Sequence, residues 1–298
     1  MGRPIMNKAD GWLRRRLARK PILIAPGVFD ALTASIAADC GFEALYVSGA
    51  AVSYTMLGRP DIGLATMTEM ANVVGAIRER VDAALIVDGD TGHGNALNVQ
   101  RTVRLFERAG ASAIQLEDQS LPKRCGHLAG KTLVSAGEMV GKIKAAADAR
   151  ASAETLVIAR TDAIAVEGFA AAADRAGAYA EAGADVVFVE APQDREQLAR
   201  VGNLLEGRVP LMANMVEGGR TPVLPASELE ALGFALVIFP GGIVRALART
   251  AREFYETLGR EGTSDAFRGR MYDFEGVNAL LGAPEILALG KRYDEDGK

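Results

Sequence analysis

Two stretches of the 298-residue chain carry residue types that do chemistry. The first is A-L-I-V-D-G-D-T-G-H-G-N over 84–95, where an apolar run ends in Asp88 and Asp90 among glycines. Carboxylates two residues apart on an extended chain point the same way, and splay if the chain breaks at Gly89. Such a pair at a strand end needs a cation or strong donors beside it. Oxygen donors at this density suit Mg²⁺ or Mn²⁺ better than zinc. Read alone, the pair fits either a cation site or a solvated loop whose acids cap the next helix. The second stretch is Q-S-L-P-K-R-C-G-H-L-A-G-K over 119–131. Lys123, Arg124 and His127 lie within two residues of Cys125, and cationic neighbours lower a thiol pKa from its free value of ~8.5. A reactive thiol on a long, lid-like loop is expected there. Cys40, at an apolar helix end, reads instead as a small buried side chain.

Those residues need a scaffold, and the chain supplies a regular one. Short β-rich runs at 22–25, 44–47, 84–87, 113–116, 156–159, 186–189, 209–212 and 236–239 predict eight strands. Helical patterns at 31–39, 68–79, 96–108, 135–147, 168–181, 195–205 and 226–232 fall between them. Strands alternating with helices imply parallel strands joined by crossovers. Eight of them without a composition break predict a closed (β/α)8 TIM barrel, one domain over 1–298 with 263–298 as a C-terminal helical extension. An open doubly wound sheet is the other option, but its Gly-rich phosphate turn after the first strand is missing.

A repeat inside the chain supports the barrel. Gly41, Gly110, Gly183 and Gly233 each end a helical pattern, and the seventh residue onward closes a strand: Ser48, Glu117, Glu190 and Pro240. Glycine just past a helix takes the left-handed cap without steric strain. These are strands two, four, six and eight, the even set of a barrel with alternating layers. The strand ends then carry Ser48, Asp88, Glu117, Arg160, Glu190 and Asn214. Carboxyl ends of barrel strands converge on one mouth, so this polar set requires a shared ligand.

Composition narrows the function classes. A net charge of −4 leaves no basic footprint for nucleic acid. No apolar run approaches the ~20 residues of a membrane span, which argues against a membrane partner. The basic start, with Arg14, Arg15 and Arg16, lacks the apolar stretch of a signal peptide. Two cysteines give no disulfide framework, so the expected location is cytoplasmic. Beyond residue 262, Phe267, Met271, Phe274, Val277, Leu280 and Leu281 are apolar side chains the barrel does not need, and packing on another subunit is expected.

The motifs D-G-D-T-G-H-G-N, L-E-D-Q, P-K-R-C-G-H-L-A-G-K, I-A-R-T-D-A and A-N-M-V-E-G-G-R-T-P together resemble the isocitrate lyase/phosphoenolpyruvate mutase superfamily. The likeness runs over about 25–262, and K-R-C-G-H marks the lyase branch. It implies a Mg²⁺-dependent (or Mn²⁺-dependent) barrel whose C-terminal helix is exchanged between subunits of a homotetramer. It implies Asp88 on the metal directly, with Asp61, Asp90 and Glu117 acting largely through water. Tyr46, Ser48, Gly49 and Ala50 would hold a 2-oxo acid, with Arg160, Glu190 and Asn214 nearby. Lys123, Arg124 and Gly126 would contact substrate beside the catalytic Cys125 and His127. Cys125 would protonate the leaving carbanion, and Tyr46 is the expected base for the hydroxyl proton.

The implied activity is carbon–carbon cleavage of a small 2-hydroxy di- or tricarboxylate, of methylisocitrate or dimethylmalate type, to a 2-oxo acid and a second acid. The alternatives are a phosphonomutase or an oxaloacetate hydrolase or decarboxylase. Pro240-Gly241-Gly242 stands where similar lyases have a Pro-Leu-Ser type sequence lining the distal pocket, which leaves the substrate open.

Overall fold

Alternation along each strand builds the molecule. In the computed structural model, which describes residues 11–126, 130–205 and 207–293, eight parallel strands close on themselves in sequence order. They are β1 (Leu23–Val28), β2 (Ala44–Val47), β3 (Ala84–Asp88), β4 (Ala113–Glu117), β5 (Leu156–Thr161), β6 (Val186–Val189), β7 (Leu211–Asn214) and β8 (Leu236–Phe239). One set of alternate residues forms the inner core: Leu23 and Ala25, Ala44 and Tyr46, Ala84 and Ile86, Leu156 and Ile158, Val186 and Phe188, Met212, and Leu236 and Ile238. The other set, including Leu45, Leu85, Ile114, Val157, Val187 and Val237, packs outward on the helices. A strand buried on both faces therefore reads as an unbroken apolar run.

The helices are α1 (Trp12–Leu17), α2 (Ala31–Asp39), α3 (Gly49–Val52), α4 (Met67–Arg78), α5 (Ala96–Ala109), α6 (Ala136–Ala149), α7 (Phe169–Glu181), α8 (Arg195–Leu204), α9 (Ala226–Ala231), α10 (Gly242–Glu261), α11 (Phe274–Leu280) and α12 (Ala283–Gly290). Side-chain caps start most of the barrel helices: Asp30, Ser48, Thr66, Asn95, Ser135 and Asp194 each accept from a backbone N–H of the first turn. The four repeat glycines sit at φ +92°, +115°, +102° and +97° for Gly41, Gly110, Gly183 and Gly233, the left-handed geometry the repeat implied. All eight predicted strands form; β1, β3, β4, β5 and β7 run one to three residues further toward the mouth than their apolar cores, and β2, β6 and β8 end where expected.

Two elements were not foreseen. Leu13 and Leu17 of α1 join the inner cluster, with Trp12 packed against it. After β2, α3 runs into a π-helical stretch, Ser53–Leu57. The chain divides into two compact units, Met1–Val244 and Arg245–Lys298, with the break inside α10. The second unit holds the rest of α10, a 3₁₀ turn at Asp265–Arg270, α11 and α12. Among the described residues no helix is long and apolar enough to cross a membrane.

Candidate active site

The inward rows of the barrel turn polar one pleat from the top. Tyr46 is followed two residues on by Ser48, Ile86 by Asp88, Gln115 by Glu117, Ile158 by Arg160, Phe188 by Glu190 and Met212 by Asn214. A strand period of two delivers each of these to the mouth interior. Strand register then sets their heights: Asp88 lies beside Gln115, and Glu117 beside Arg160. The Arg160 guanidinium is the hub. It sits 3.2 Å from Glu117 and 3.4 Å from Glu190, over the Phe188 ring. Asp162 accepts from its Nε at 2.9 Å and from Nη2 at 3.0 Å. Asn214 donates to Glu190 Oε2 at 3.0 Å. The Tyr46 hydroxyl donates to Gln115 Oε1 at 3.1 Å, and Gly49 N–H donates to Asp88 Oδ2 at 3.3 Å.

The loop after β4 closes this mouth, and its backbone is held from several sides. Gln119 pairs with Arg124 in both directions, side-chain oxygen to N–H and side-chain nitrogen to carbonyl. Cys125 N–H donates to the Asp61 carbonyl at 3.1 Å. Gly126 lies so near the hub that a Cβ there would stand 2.5 Å from Arg160 Nη2 and 2.7 Å from Glu190 Oε2. No larger residue fits without moving the guanidinium. The partly open cavity is about 50 Å³, lined by Tyr46, Ser48, Ala50, Asp61, Asp88, Glu117, Lys123, Arg124, Cys125, Gly126, Arg160, Glu190 and Asn214, with Phe188, Val216, Ile238 and Pro240 as its apolar residues. That volume holds only a few water molecules, so a dicarboxylate fits only if this loop shifts.

Charge is uneven in the mouth. Lys123 inserts its ammonium between Asp61, with which it forms a close ion pair, and Asp90 at 2.6 Å. Burial disfavours that ammonium, but Asp90, Glu117, Asp61 and Asp88 outweigh burial and hold its pKa well above the usual lysine value. Burial pushes the Asp90 carboxyl up to about 7, with Asp88 and Asp61 adding to the rise and Lys123 opposing it. Glu117 is raised as well, by burial against the pull of Arg160. Raised carboxyls mean a shortage of positive charge. Among the described residues, Glu117 Oε1 and Asn214 Oδ1 are buried without a hydrogen-bond partner. Among the described residues no three of these side chains converge as a ready-made direct ligand set. The donors nevertheless fit a hard cation: all are oxygens, one is orphaned, and Mg²⁺ ordinarily keeps several waters between itself and its carboxylates.

A family model described as phosphoenolpyruvate phosphomutase matches residues 13–258. The chain belongs to that family. It is 43% identical over 281 residues to the 2,3-dimethylmalate lyase of Eubacterium barkeri, covering 94% of this chain and 96% of that one. It is 44% identical over 270 residues to a 2-methylisocitrate lyase of Aeropyrum pernix, covering 91% and 86%. A crystal structure of 2,3-dimethylmalate lyase, described as a PEP mutase/isocitrate lyase superfamily member, superposes with a TM-score of 0.90 at 36% identity, covering 96% of this chain and 95% of that one. The resemblance drawn from the motifs is thus to the right superfamily.

Within this mutase/lyase barrel, nearly all the residues singled out from sequence meet at one mouth. Gly49 and Asp90 stand one layer behind the cavity, on Asp88 and Lys123. His127 lies outside the described residues. Cys40, expected to be buried, is exposed at the end of α2, because its helix end faces away from the barrel. Burial and the Asp88 charge raise the Tyr46 phenol well above its ordinary value, an environment that favours a donor over a base. Sequence reasoning missed Asp162, Lys131, Asp118 and Gln115, all buried and polar. Asp118 accepts from Thr161, the Asp162 N–H and Tyr179. For Asp118 and Asp162 the signal was present in the L-E-D-Q and I-A-R-T-D-A motifs, where an acid follows Glu117 by one residue and Arg160 by two.

Proposed function

We propose that the chain is a Mg²⁺-dependent carbon–carbon lyase acting on a 2-hydroxy di- or tricarboxylate of dimethylmalate or methylisocitrate type. The observation that carries this is one cavity lined by Asp61, Asp88, Glu117 and Glu190, with Arg160 against the two glutamates and Cys125 on the covering loop. Asp88, with Asp61, Asp90 and Glu117, would hold the cation; Mg²⁺ bound there supplies Lewis acidity toward the substrate's hydroxyl and carboxylate oxygens. Arg160 supplies a fixed positive charge for the carboxylate of the forming oxo acid. Asn214 Oδ1, which accepts nothing from the described residues, suits a substrate hydroxyl. As the bond between the hydroxyl carbon and its neighbour breaks, the electron pair passes to the second fragment as an enolate. The Cys125 thiol donates the proton that turns this enolate into the released acid, and a group tuned near neutrality serves best. The hydroxyl proton lost at the start restores the balance.

The apolar side formed by Val216, Ile238 and Pro240 suits a short, methyl-bearing acid rather than a third carboxylate, which favours a dimethylmalate-like substrate. Mn²⁺ is a second option for the metal, a homotetramer of helix-exchanged dimers the assembly, and the cytoplasm the location. The test is a substrate panel with Mg²⁺: dimethylmalate, methylisocitrate, isocitrate, oxaloacetate and phosphonopyruvate, with detection of released keto acid. Pyruvate from dimethylmalate or methylisocitrate is expected. Turnover of phosphonopyruvate or oxaloacetate alone overturns the lyase reading in favour of a mutase or a hydrolase.

A further inference from the structure

Lys131 lies at the far end of the cysteine loop, outside the cavity lining, and has a side chain only 1% exposed. A buried ammonium persists only where partners replace its water. Lys131 has two. It donates to Asp162 Oδ1 at 2.7 Å, and it makes a close hydrogen bond to the Gly126 carbonyl. Asp162, fully buried, is the carboxylate that grips Arg160 through two of its nitrogens, and its own N–H is fixed on Asp118 at 2.9 Å. Lys131 therefore ties the Gly126 carbonyl, one residue beyond Cys125, to the carboxylate that orients Arg160. The amide on the other side of Cys125 is fixed separately, on the Asp61 carbonyl.

We infer that Lys131 is a positioning residue, fixing the Cys125–Gly126 backbone against the Asp162–Arg160 pair so that the thiol and the guanidinium face one substrate in constant geometry. The catalytic half of this inference rests on the lyase reading above; the structural half does not. Anchors at the Cys125 N–H and the Gly126 carbonyl together restrain the thiol's backbone, and misplacement of a reacting group by ~1 Å can lower a rate ~10²-fold. An ion pair that merely stabilised the fold would give a different pattern, in which stability falls and the cysteine backbone stays as protected as before.

The experiment compares wild type with Lys131→Met and Lys131→Ala. Amide hydrogen exchange, which needs no substrate, is followed in the peptide containing Cys125 and in β5. Loss of protection in the cysteine peptide with β5 unchanged is the expected result. In turnover, kcat should fall roughly 10- to 100-fold while KM stays within about twofold. Propylammonium added to Lys131→Ala should restore part of kcat by refilling the cation's place. Should Lys131→Met not fold, Lys131→Gln, which keeps a donor for the Gly126 carbonyl, is measured in the same way. Unchanged exchange at Cys125, a global loss of protection, or failure of both variants to fold would each reduce Lys131 to a structural ion pair. If wild type shows no lyase turnover, the exchange arm still decides the backbone role, so the two failures are told apart.

Discussion

Cys125 is the side chain on which the proposed chemistry turns, and replacing its sulfur by oxygen is the cleanest probe. Cys125→Ser keeps size and backbone anchors but offers a hydroxyl far too weakly acidic to protonate an enolate. General acid–base contributions run to ~10²–10⁴-fold, so kcat should fall in about that range with KM little changed. Retention of more than about half the activity would make the thiol a spectator. Alkylation studies must follow Cys125 separately, because the exposed Cys40 reacts too. Asp90 gives a second test, through pH. Its carboxyl titrates at about 7 in the metal-free fold instead of near 3.8. Between those values the folded chain holds a proton that the unfolded chain has released, so this group's contribution to stability falls as pH rises through the window. A divalent cation competes with that proton. The rise in Tm on adding Mg²⁺ should therefore be larger at about pH 8 than at about pH 5.5. An equal or larger rise at the acid end would refute the metal assignment. Most of the strand-end residues were legible because they lie two positions beyond an inward apolar residue, Glu117 beyond Gln115 being the exception. Asp162 and Lys131 were not, because they act through other side chains, and nothing in sequence says which buried acid a buried lysine will find.

At the scale of elements, apolar runs and repeated glycine caps were enough to place the eight strands and the helices between them. Their ends were less legible. β3, β4 and β5 continue past their apolar cores into Asp88, Glu117 and Arg160-Thr161, since ladder pairing extends them where hydropathy stops. α1 and α3 escaped notice for a different reason: six and four residues give too few turns for a periodic signal. One close contact between elements was invisible for want of a side chain. A Cβ on Gly202, in α8, would stand 1.6 Å from the Leu232 carbonyl oxygen at the end of α9. Backbone on both sides cannot yield as a flexible side chain can. Gly202→Ala should therefore destabilise by roughly 2 kcal/mol or more, overpacking costing typically 1–3, and lower Tm by about 5 °C in a chain of this size. Because α8 and α9 lie away from the mouth residues, kcat of the folded fraction should be unchanged. A Tm equal to wild type would show that the two helices separate more easily than their packing indicates.

The whole molecule poses the question of what covers its second unit. Met271, Tyr272, Phe274, Ile286, Leu287 and Tyr293 are all exposed, with Phe274 at 83% and Tyr293 at 79%. In α11 and α12 no residue is buried. Apolar surface of this density on short helices is ordinarily removed from water by another chain. The sequence announced this much, since its apolar residues after 262 exceeded what eight strands require. It did not announce that the break between units falls within α10 rather than after it. We propose that a second copy of the chain receives these helices, consistent with the exchange the resemblance implies. Truncation after Gly262 removes α11, α12 and the 3₁₀ turn while leaving every barrel strand in place. The shortened chain should form a lower-order oligomer by light scattering, or lose solubility if the partner's receiving surface is left bare. Substitution of Phe274 and Leu287 by serine in the full chain is the milder form of the same test. It should weaken assembly without touching the mouth, so that kcat/KM at saturating protein concentration approaches wild type while dilution lowers Tm. A truncated chain that keeps the oligomeric state of the full one, or serine variants whose assembly is unaltered on dilution, would show that the exposed helices serve something other than self-association.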